Sequence, residues 1–107
     1  MEARPKEIRM FETGDGKVPF SDWIDTYARD EIQGVILARI ERVEEGNFGD
    51  CKWEGDGVFG LRIDSGPGYR VYFGNDGDIV VLLWGGIKRT QRRDVEMARK
   101  YWKEYNA

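Results

Sequence analysis

Residues 58–73 read VFGLRIDSGPGYRVYF, two alternating segments joined by a turn rich in glycine and proline. If residues 64–68 form the loop, each apolar residue of one segment faces an apolar residue of the other. The pairs are Ile63 with Tyr69, Leu61 with Val71, and Phe59 with Phe73. A shift by one residue would break this matching, so the pattern predicts an antiparallel β-hairpin in a single register.

The other face of this hairpin is predicted to be polar. The same register sets Arg62 directly across from Arg70, and Gly60 across from Tyr72. Two like charges in such positions are destabilising unless an anion lies beside them. Asp64 could be that anion, and so could a bound phosphate, because guanidinium groups match both carboxylates and phosphates. We expect Arg70 at the surface, where its truncation would open no cavity, and Tyr72 beside it, where it could stack a base or donate a proton.

Hydrophobic spacing predicts three helices. The first begins at the N-cap Ser21, the second runs from about Asp30 to a C-cap at Gly46, and the third begins near Thr90. The buried side of the second helix is expected to carry Ile32, Val35, Ile36, Ile40 and Val43.

Two further strands complete the predicted fold. Residues 7–12 form a short strand, and residues 79–84, which are apolar throughout, form a central strand covered on both faces. The polar, glycine-rich residues 47–57 are expected to form an irregular loop. The element order is then β-α-α-β-β-β-α, a single α+β domain over residues 1–107.

The composition removes several kinds of chemistry. The chain of 107 residues has no histidine and one cysteine, Cys51. This excludes an intramolecular disulfide, catalysis that needs histidine, and zinc sites that contain histidine or four cysteines. We expect no metal and no other cofactor. Any catalysis must therefore use Lys, Arg, Tyr, Asp or Glu side chains, water, or a partner.

No segment of the sequence is typical of a membrane-spanning or secreted protein. The longest uncharged apolar run, residues 79–84, is far too short to cross a bilayer. The first residues, Met1 to Pro5, lead into no hydrophobic stretch of the signal-peptide kind. We therefore expect a cytoplasmic protein without a membrane partner.

Positive charge is concentrated toward the end of the chain. The net charge is -3, yet residues 61–107 carry 9 basic and 6 acidic side chains, against 8 basic and 14 acidic in residues 1–60. Such an asymmetry indicates a polyanionic or acidic partner. The alternative is a basic helix face that is only solvated.

Two basic pairs mark the start of the last helix. Lys88 and Arg89 follow the apolar strand, where exposed backbone N–H groups and basic side chains together predict a phosphate site. Arg92 and Arg93 extend it. Lys52, which stands among acidic residues, is a further candidate for contact with an anion, with a plain surface lysine as the alternative.

From residue 61 to residue 73 the sequence resembles the core motif of the RelE/ParE superfamily of toxins, and it is most similar to the HigB-like addiction module killer proteins. The likeness continues through residues 19–23 (PFSDW), 44–50 (EEGNFGD) and 85–91 (GGIKRTQ). The resemblance implies the α+β toxin fold, with an antiparallel sheet and helices packed around it. It also implies a toxin–antitoxin module of type II, in which the partner is a small helix-turn-helix antitoxin.

Two activities occur within that superfamily. RelE-like members enter the ribosomal A site and cut mRNA, whereas ParE-like members inhibit DNA gyrase and cut no RNA. Arg70 matches the arginine implicated in RelE-type cleavage, and Lys88 with Arg89 matches a basic site after the last strand. We expect a ribosome-dependent mRNA endoribonuclease. A gyrase inhibitor and an inactive toxin-fold protein are the alternatives.

In the expected ribonuclease, the catalytic candidates are Arg62, Arg70 and Lys88. The two arginines would hold the phosphate and neutralise its charge, while the 2′-OH attack also needs a base and an acid. Lys88 and Lys52 are candidates for these proton transfers. RNA or phosphate contacts are expected from Lys52, Tyr72, Arg89, Arg92 and Arg93. Because the acid–base groups are weak, the ribosome is expected to orient the substrate.

Overall fold

The computed structural model describes residues 4–27 and 30–107. Its helices and strands follow the chain as β1 (Glu7–Met10), α1 (Pro19–Tyr27), α2 (Asp30–Glu44), β2 (Cys51–Gly55), β3 (Val58–Ile63), β4 (Tyr69–Asp76), β5 (Ile79–Ile87), a 3-10 turn (Lys88–Thr90) and α3 (Gln91–Tyr105). This is an α+β domain, as the sequence predicts. Within the described ranges, no helix is long and apolar enough to cross a membrane.

The five strands form one mixed sheet in the order β1-β5-β4-β3-β2. Strands β2 to β5 form an antiparallel meander, whereas β1 runs parallel to β5, with Glu7 opposite Ile79. The expectation of a purely antiparallel sheet is therefore wrong. Two helices separate β1 from the meander, so no tight turn dictates its direction, and the free edge of β5 accepts it in parallel.

The β3–β4 hairpin has the predicted register. Ile63 lies opposite Tyr69, Leu61 opposite Val71, Phe59 opposite Phe73, Arg62 opposite Arg70 and Gly60 opposite Tyr72. Leu61 and Val71 are fully buried. The matching of apolar residues therefore identified the pairing correctly.

The region expected to be an irregular loop contains a strand. Residues Cys51–Gly55 form β2 and pair with β3, Lys52 lying opposite Gly60. The turn between β2 and β3 is made by Gly55, Asp56 and Gly57, which all have positive φ. β2 is an edge strand with Lys52 and Trp53 exposed, so it lacks the apolar alternation by which strands are recognised. The true order is β-α-α-β-β-β-β-α.

Hydrophobic cores lie on both faces of the sheet. On one face, α1 and α2 pack against residues that include Leu61, Val71 and Phe73. On the other face, α3 packs through Val95 and Ala98. β5 is buried on both faces, as predicted, and lies inside the sheet between β1 and β4, although the central strand is β4.

The apolar side of α2 was predicted with one error. Ile36, Ile40 and Val43 are buried and Ile32 is partly buried, but Val35 is 43% exposed. Successive residues of a helix differ by about 100° in direction, so Val35 points well away from its neighbour Ile36.

Trp23 of α1 lies directly on the backbone of β5. A Cβ atom on Gly85 would overlap the indole ring of Trp23. The absence of a side chain at this position is therefore what allows α1 to approach the sheet.

We expect Gly85→Ala to lower the free energy of unfolding by about 1–3 kcal/mol, because the added methyl group overpacks the core. Gly34→Ala is the matched control, since Gly34 lies in α2 with nothing near its missing side chain. That change should raise the free energy of unfolding by roughly 0.5–1 kcal/mol through helix propensity. Urea unfolding measures both, and equal stability of the two variants would contradict the packing of Trp23 on Gly85.

Candidate anion-binding site

The predicted basic residues fall on two surfaces. The first surface is on the α3 side of the sheet, and we call it the sheet surface. It consists of Lys52 on β2, Arg62 on β3, Arg70 on β4 and Lys88, which follows β5. Arg89, Arg92 and Arg93 lie on the 3-10 turn and the first turn of α3, and we call them the helix surface. The structure thus divides a set of residues that the sequence treated as one.

Arg70 is buried rather than exposed. Its side chain lies on the predicted face, but only 7% of the residue is accessible. The Nη1 atom donates to the backbone oxygen of Tyr69 at 3.1 Å, whereas the Nε–H is buried and has no partner within the described chain. The expectation of an exposed Arg70 is wrong because the hairpin loop and the start of α3 cover this part of the sheet.

Lys88 lies next to Arg70. The Cβ atom of Lys88 and the Nη1 atom of Arg70 are each 3.4 Å from the place where a Cβ atom on Gly68 would lie. The backbone N–H of Lys88 also donates to the oxygen of Gly68 at 2.8 Å, which fastens the 3-10 turn to the hairpin loop. Unlike Arg70, Lys88 is exposed.

Arg62 has its own carboxylate. Its Nε and Nη2 atoms donate to Oδ1 of Asp50 at 2.9 and 2.7 Å. The hydrogen bond and the charge of Asp50 raise the pKa of Arg62, and the charge of Asp64 adds to this more weakly. The anion beside Arg62 is therefore Asp50, which directly precedes β2, in place of Asp64, and it does not pair with Arg70. The prediction of Asp64 is wrong because β2 was not predicted, and the hairpin sequence alone does not show that Asp50 lies beside β3.

Tyr72 is fully buried, so its ring is not placed to stack a base at the surface. Its hydroxyl group is buried and has no hydrogen-bond partner within the described residues. Burial raises the pKa of Tyr72, and the nearby charges of Asp94 and Glu54 raise it further, while Arg70 lowers it. The phenol therefore stays protonated. The cover is α3, whose Val95 and Ala98 belong to the same buried cluster as Tyr72.

The helix surface lies beside a groove. Arg89 and Arg93 line a groove of about 460 Å³ whose walls include Trp23, Tyr69 and Trp84. All three arginines of this surface are exposed. The groove combines aromatic walls with a cationic rim.

Most of the predicted basic residues have no acidic partner. In the part of the chain that the structure describes, ion pairs join Arg62 to Asp50 and Arg99 to Asp56, and the others lie around β1 and the turn before α1. Six of the seven basic residues that the sequence predicts for the site form none: Lys52, Arg70, Lys88, Arg89, Arg92 and Arg93. Their positive charge is consequently available to an external anion.

Sequence reasoning missed the buried carboxylate of Asp94. This residue of α3 is 4% exposed and accepts hydrogen bonds from Nε1 of Trp84, at 3.0 Å, and from the hydroxyl of Thr90. A Cβ atom on Gly86 would overlap the carboxylate. The local signal was the spacing of Thr90 and Asp94 across one helical turn, but the contact with β5 is long-range. Among residues 4–27 and 30–107, no group of His, Cys, Asp and Glu is arranged to hold a metal.

These features define a small α+β domain with a basic surface that its own carboxylates leave unpaired. An uncharacterized protein of Haemophilus influenzae is 47% identical over 81 residues, which are 75% of this chain and 82% of the relative. The chain belongs to the same family as that protein. No family model and no solved structure matches the chain.

Tyr72→Phe should leave the fold intact and raise the free energy of unfolding by up to about 1–3 kcal/mol, because it removes a buried hydroxyl that has no partner. The variant should also resist alkali better. The pKa of Tyr72 is raised above its ordinary value of 10.0, so above that pH the unfolded chain loses a proton that the folded chain keeps. The free energy of unfolding of the native protein, but not of Tyr72→Phe, then falls through this group as the pH rises above 10, by up to about 1.4 kcal/mol per pH unit.

Urea unfolding from about pH 8 to pH 11 tests this expectation. The comparison isolates Tyr72, since Tyr101 and Tyr105 are present in both proteins. An identical pH dependence of the two proteins would show that the hydroxyl is solvated.

Proposed function

We propose that this chain is the toxin of a type II toxin–antitoxin module, a HigB-like member of the RelE/ParE superfamily that cuts mRNA on the ribosome. The sequence resemblance supports the superfamily, and the α+β domain with helices on both faces of a β-meander is compatible with it. The partners are then a helix-turn-helix antitoxin, the ribosome and mRNA, and the site of action is the cytoplasm.

The observation that carries the proposal is the pairing state of Arg70. A buried guanidinium group is normally neutralised by a carboxylate, because an unpaired charge away from water is unfavourable. Arg70 has no such partner among the described residues, and Lys88 lies beside it. A phosphate group would supply the missing charge and accept hydrogen bonds from the guanidinium group.

The sheet surface suits a reaction in which negative charge develops on phosphorus. Attack by the 2′-OH places an additional charge on the phosphate oxygens, and positioned cations that stabilise it accelerate the reaction. Arg70 would supply such a charge, and Lys88 is beside it at the hairpin loop. Arg62, opposite Arg70 on β3, is paired with Asp50. These charges would bind and stabilise the phosphate, and the reaction also needs a proton acceptor and a proton donor.

Proton transfer is the part that the site supplies poorly. Tyr72 is buried and protonated, so it is not accessible to a substrate in this conformation. Lys88 and Lys52 are the exposed candidates for acid or base. A ribosome that orders the reacting 2′-OH and phosphate would compensate, since alignment of reacting groups alone accounts for large rate effects.

The burial of Tyr72 also favours a second candidate. A toxin that binds DNA gyrase and catalyses nothing needs no accessible proton donor, and an unpaired basic surface would serve it equally well. Expression in cells separates the two: mRNA cut within codons supports the ribonuclease, and DNA damage with intact mRNA supports the gyrase inhibitor.

Arg70→Met should abolish growth arrest and mRNA cleavage while leaving the melting temperature unchanged or higher. Methionine keeps the straight side chain, so little space is opened, and it removes a buried charge that lacks a partner. Losing one group that stabilises transition-state charge reduces the rate on the order of 100- to 1,000-fold.

Leu61→Ala is the control for Arg70→Met. Leu61 is fully buried on the opposite face of β3, and truncating it should cost roughly 2–5 kcal/mol and act through unfolding. A folded Arg70→Met variant that remains equally toxic would rule out Arg70 as the phosphate ligand.

The purified chain should cut naked RNA poorly and ribosome-bound mRNA efficiently. The physical reason is the lack of histidine and of an accessible base in the described site. The measurement compares cleavage of one mRNA with and without programmed ribosomes. Efficient cleavage of the free RNA at neutral pH, without ribosomes, would contradict the dependence on the ribosome.

A further inference from the structure

Asp94 and Arg70 occupy neighbouring positions on the same face of the sheet. Gly86 is the partner of Arg70 in the β4–β5 register, and the carboxylate of Asp94 lies over Gly86. Directly opposed residues of neighbouring strands have Cβ positions about 4.5–5.5 Å apart. The acidic group is therefore within the reach of a long arginine side chain.

The charges of Asp94 and Arg70 also act on the same buried group. The pKa of the Tyr72 hydroxyl is raised by the charge of Asp94 and lowered by that of Arg70. Tyr72 is two residues from Arg70 on β4, and Trp84, which hydrogen-bonds to Asp94, is its partner on β5. Both ions thus act on one buried hydroxyl.

Despite this proximity, Arg70 and Asp94 form no ion pair. The two residues are 7% and 4% exposed, and two buried opposite charges so close together would ordinarily pair. The carboxylate is instead held by Trp84 and Thr90. Thr90 is itself anchored, since its hydroxyl oxygen accepts a hydrogen bond from the backbone N–H of Ile87, at the end of β5, at 3.4 Å.

We propose that Trp84 and Thr90 hold the carboxylate of Asp94 away from Arg70 and so keep Arg70 free to bind a phosphate. We call Asp94, Trp84 and Thr90 the carboxylate clasp. Trp84 and Thr90 are then positioning residues that control the availability of Arg70, and Asp94 is the group that they restrain. The inference rests on the part of the proposed function that assigns an anion site to Arg70.

The clasp predicts a particular energetic coupling. Without the indole N–H of Trp84, the carboxylate can turn to Arg70, and the resulting ion pair blocks the anion site. Asn in place of Asp94 cannot form that ion pair, and its amide oxygen can still accept a hydrogen bond. The effect of Asp94→Asn on anion binding should therefore depend strongly on whether Trp84 is present.

The test is a double-mutant cycle in the full chain with inorganic phosphate as the probe. Dissociation constants are measured by calorimetry for the native protein, Trp84→Phe, Asp94→Asn and the double variant. Arg70→Met gives the background from the helix surface. Residues in contact couple by roughly 0.5–3 kcal/mol, so we expect Trp84→Phe to weaken the Arg70-dependent binding by about twofold or more.

In the double variant, binding should return to that of Asp94→Asn alone. Thr90→Val, which removes only the hydroxyl group from the clasp, should weaken phosphate binding in the same direction as Trp84→Phe and provides a second route if Trp84→Phe does not fold. Equal effects of Asp94→Asn in both backgrounds would overturn the clasp. So would native phosphate binding no stronger than that of Arg70→Met.

This experiment does not depend on RNA cleavage. If the cycle shows coupling while cells expressing the chain keep intact mRNA, the clasp stands and the ribonuclease proposal fails. If mRNA is cut but the cycle is additive, the ribonuclease proposal stands and the clasp is wrong.

Discussion

The pairing of apolar side chains across β3 and β4 controls what lies on the reverse of these strands. Side chains alternate between the faces of a sheet, so the register that joins Leu61 to Val71 also places Arg62 across from Arg70. The two arginines cannot separate without exposing the core residues behind them. A repulsive pair is thus maintained by hydrophobic packing on the opposite face. The surroundings of the two arginines differ.

The two arginines differ in how exposed their side chains are to solvent. Arg62 is partly exposed and binds Asp50, an ion pair that water and salt weaken. Arg70 is enclosed by the hairpin loop and the start of α3. Away from water the dielectric constant is lower, so its charge interacts more strongly with a nearby anion. Arg62 therefore has a structural role in an ion pair, whereas the charge of Arg70 has no carboxylate partner among the described residues. This contrast, rather than the number of basic residues, is the reason for placing Arg70 at the centre of the proposed site.

Much of the fold could be predicted because its signals are local. The β3–β4 register, the burial of β5 on both faces and the buried residues Ile36 and Ile40 all follow from the hydrophobic pattern. β2 was missed because an edge strand with exposed side chains has no such periodicity. The parallel direction of β1 depends on how two helices return the chain, which no short segment encodes.

The site could be predicted only by residue type and face. The hairpin pattern identifies the face of Arg70, but its burial depends on the loop and helix that cover it, and these are distant in the sequence. The same is true of Asp94, whose carboxylate needs a glycine in β5, a tryptophan in the same strand and a threonine one turn earlier in the chain. Each of these is ordinary alone, and only their packing gives them a common role.

Gly85 and Gly86 allow two side chains to approach the backbone of β5 more closely than larger residues would. Trp23 touches the backbone of β5 from one side and Asp94 touches it from the other, at consecutive residues. The layers on the two sides of the sheet are therefore separated here by the thickness of a single strand of backbone. The backbone of β5 at these two residues therefore sets the distance between α1 and the start of α3.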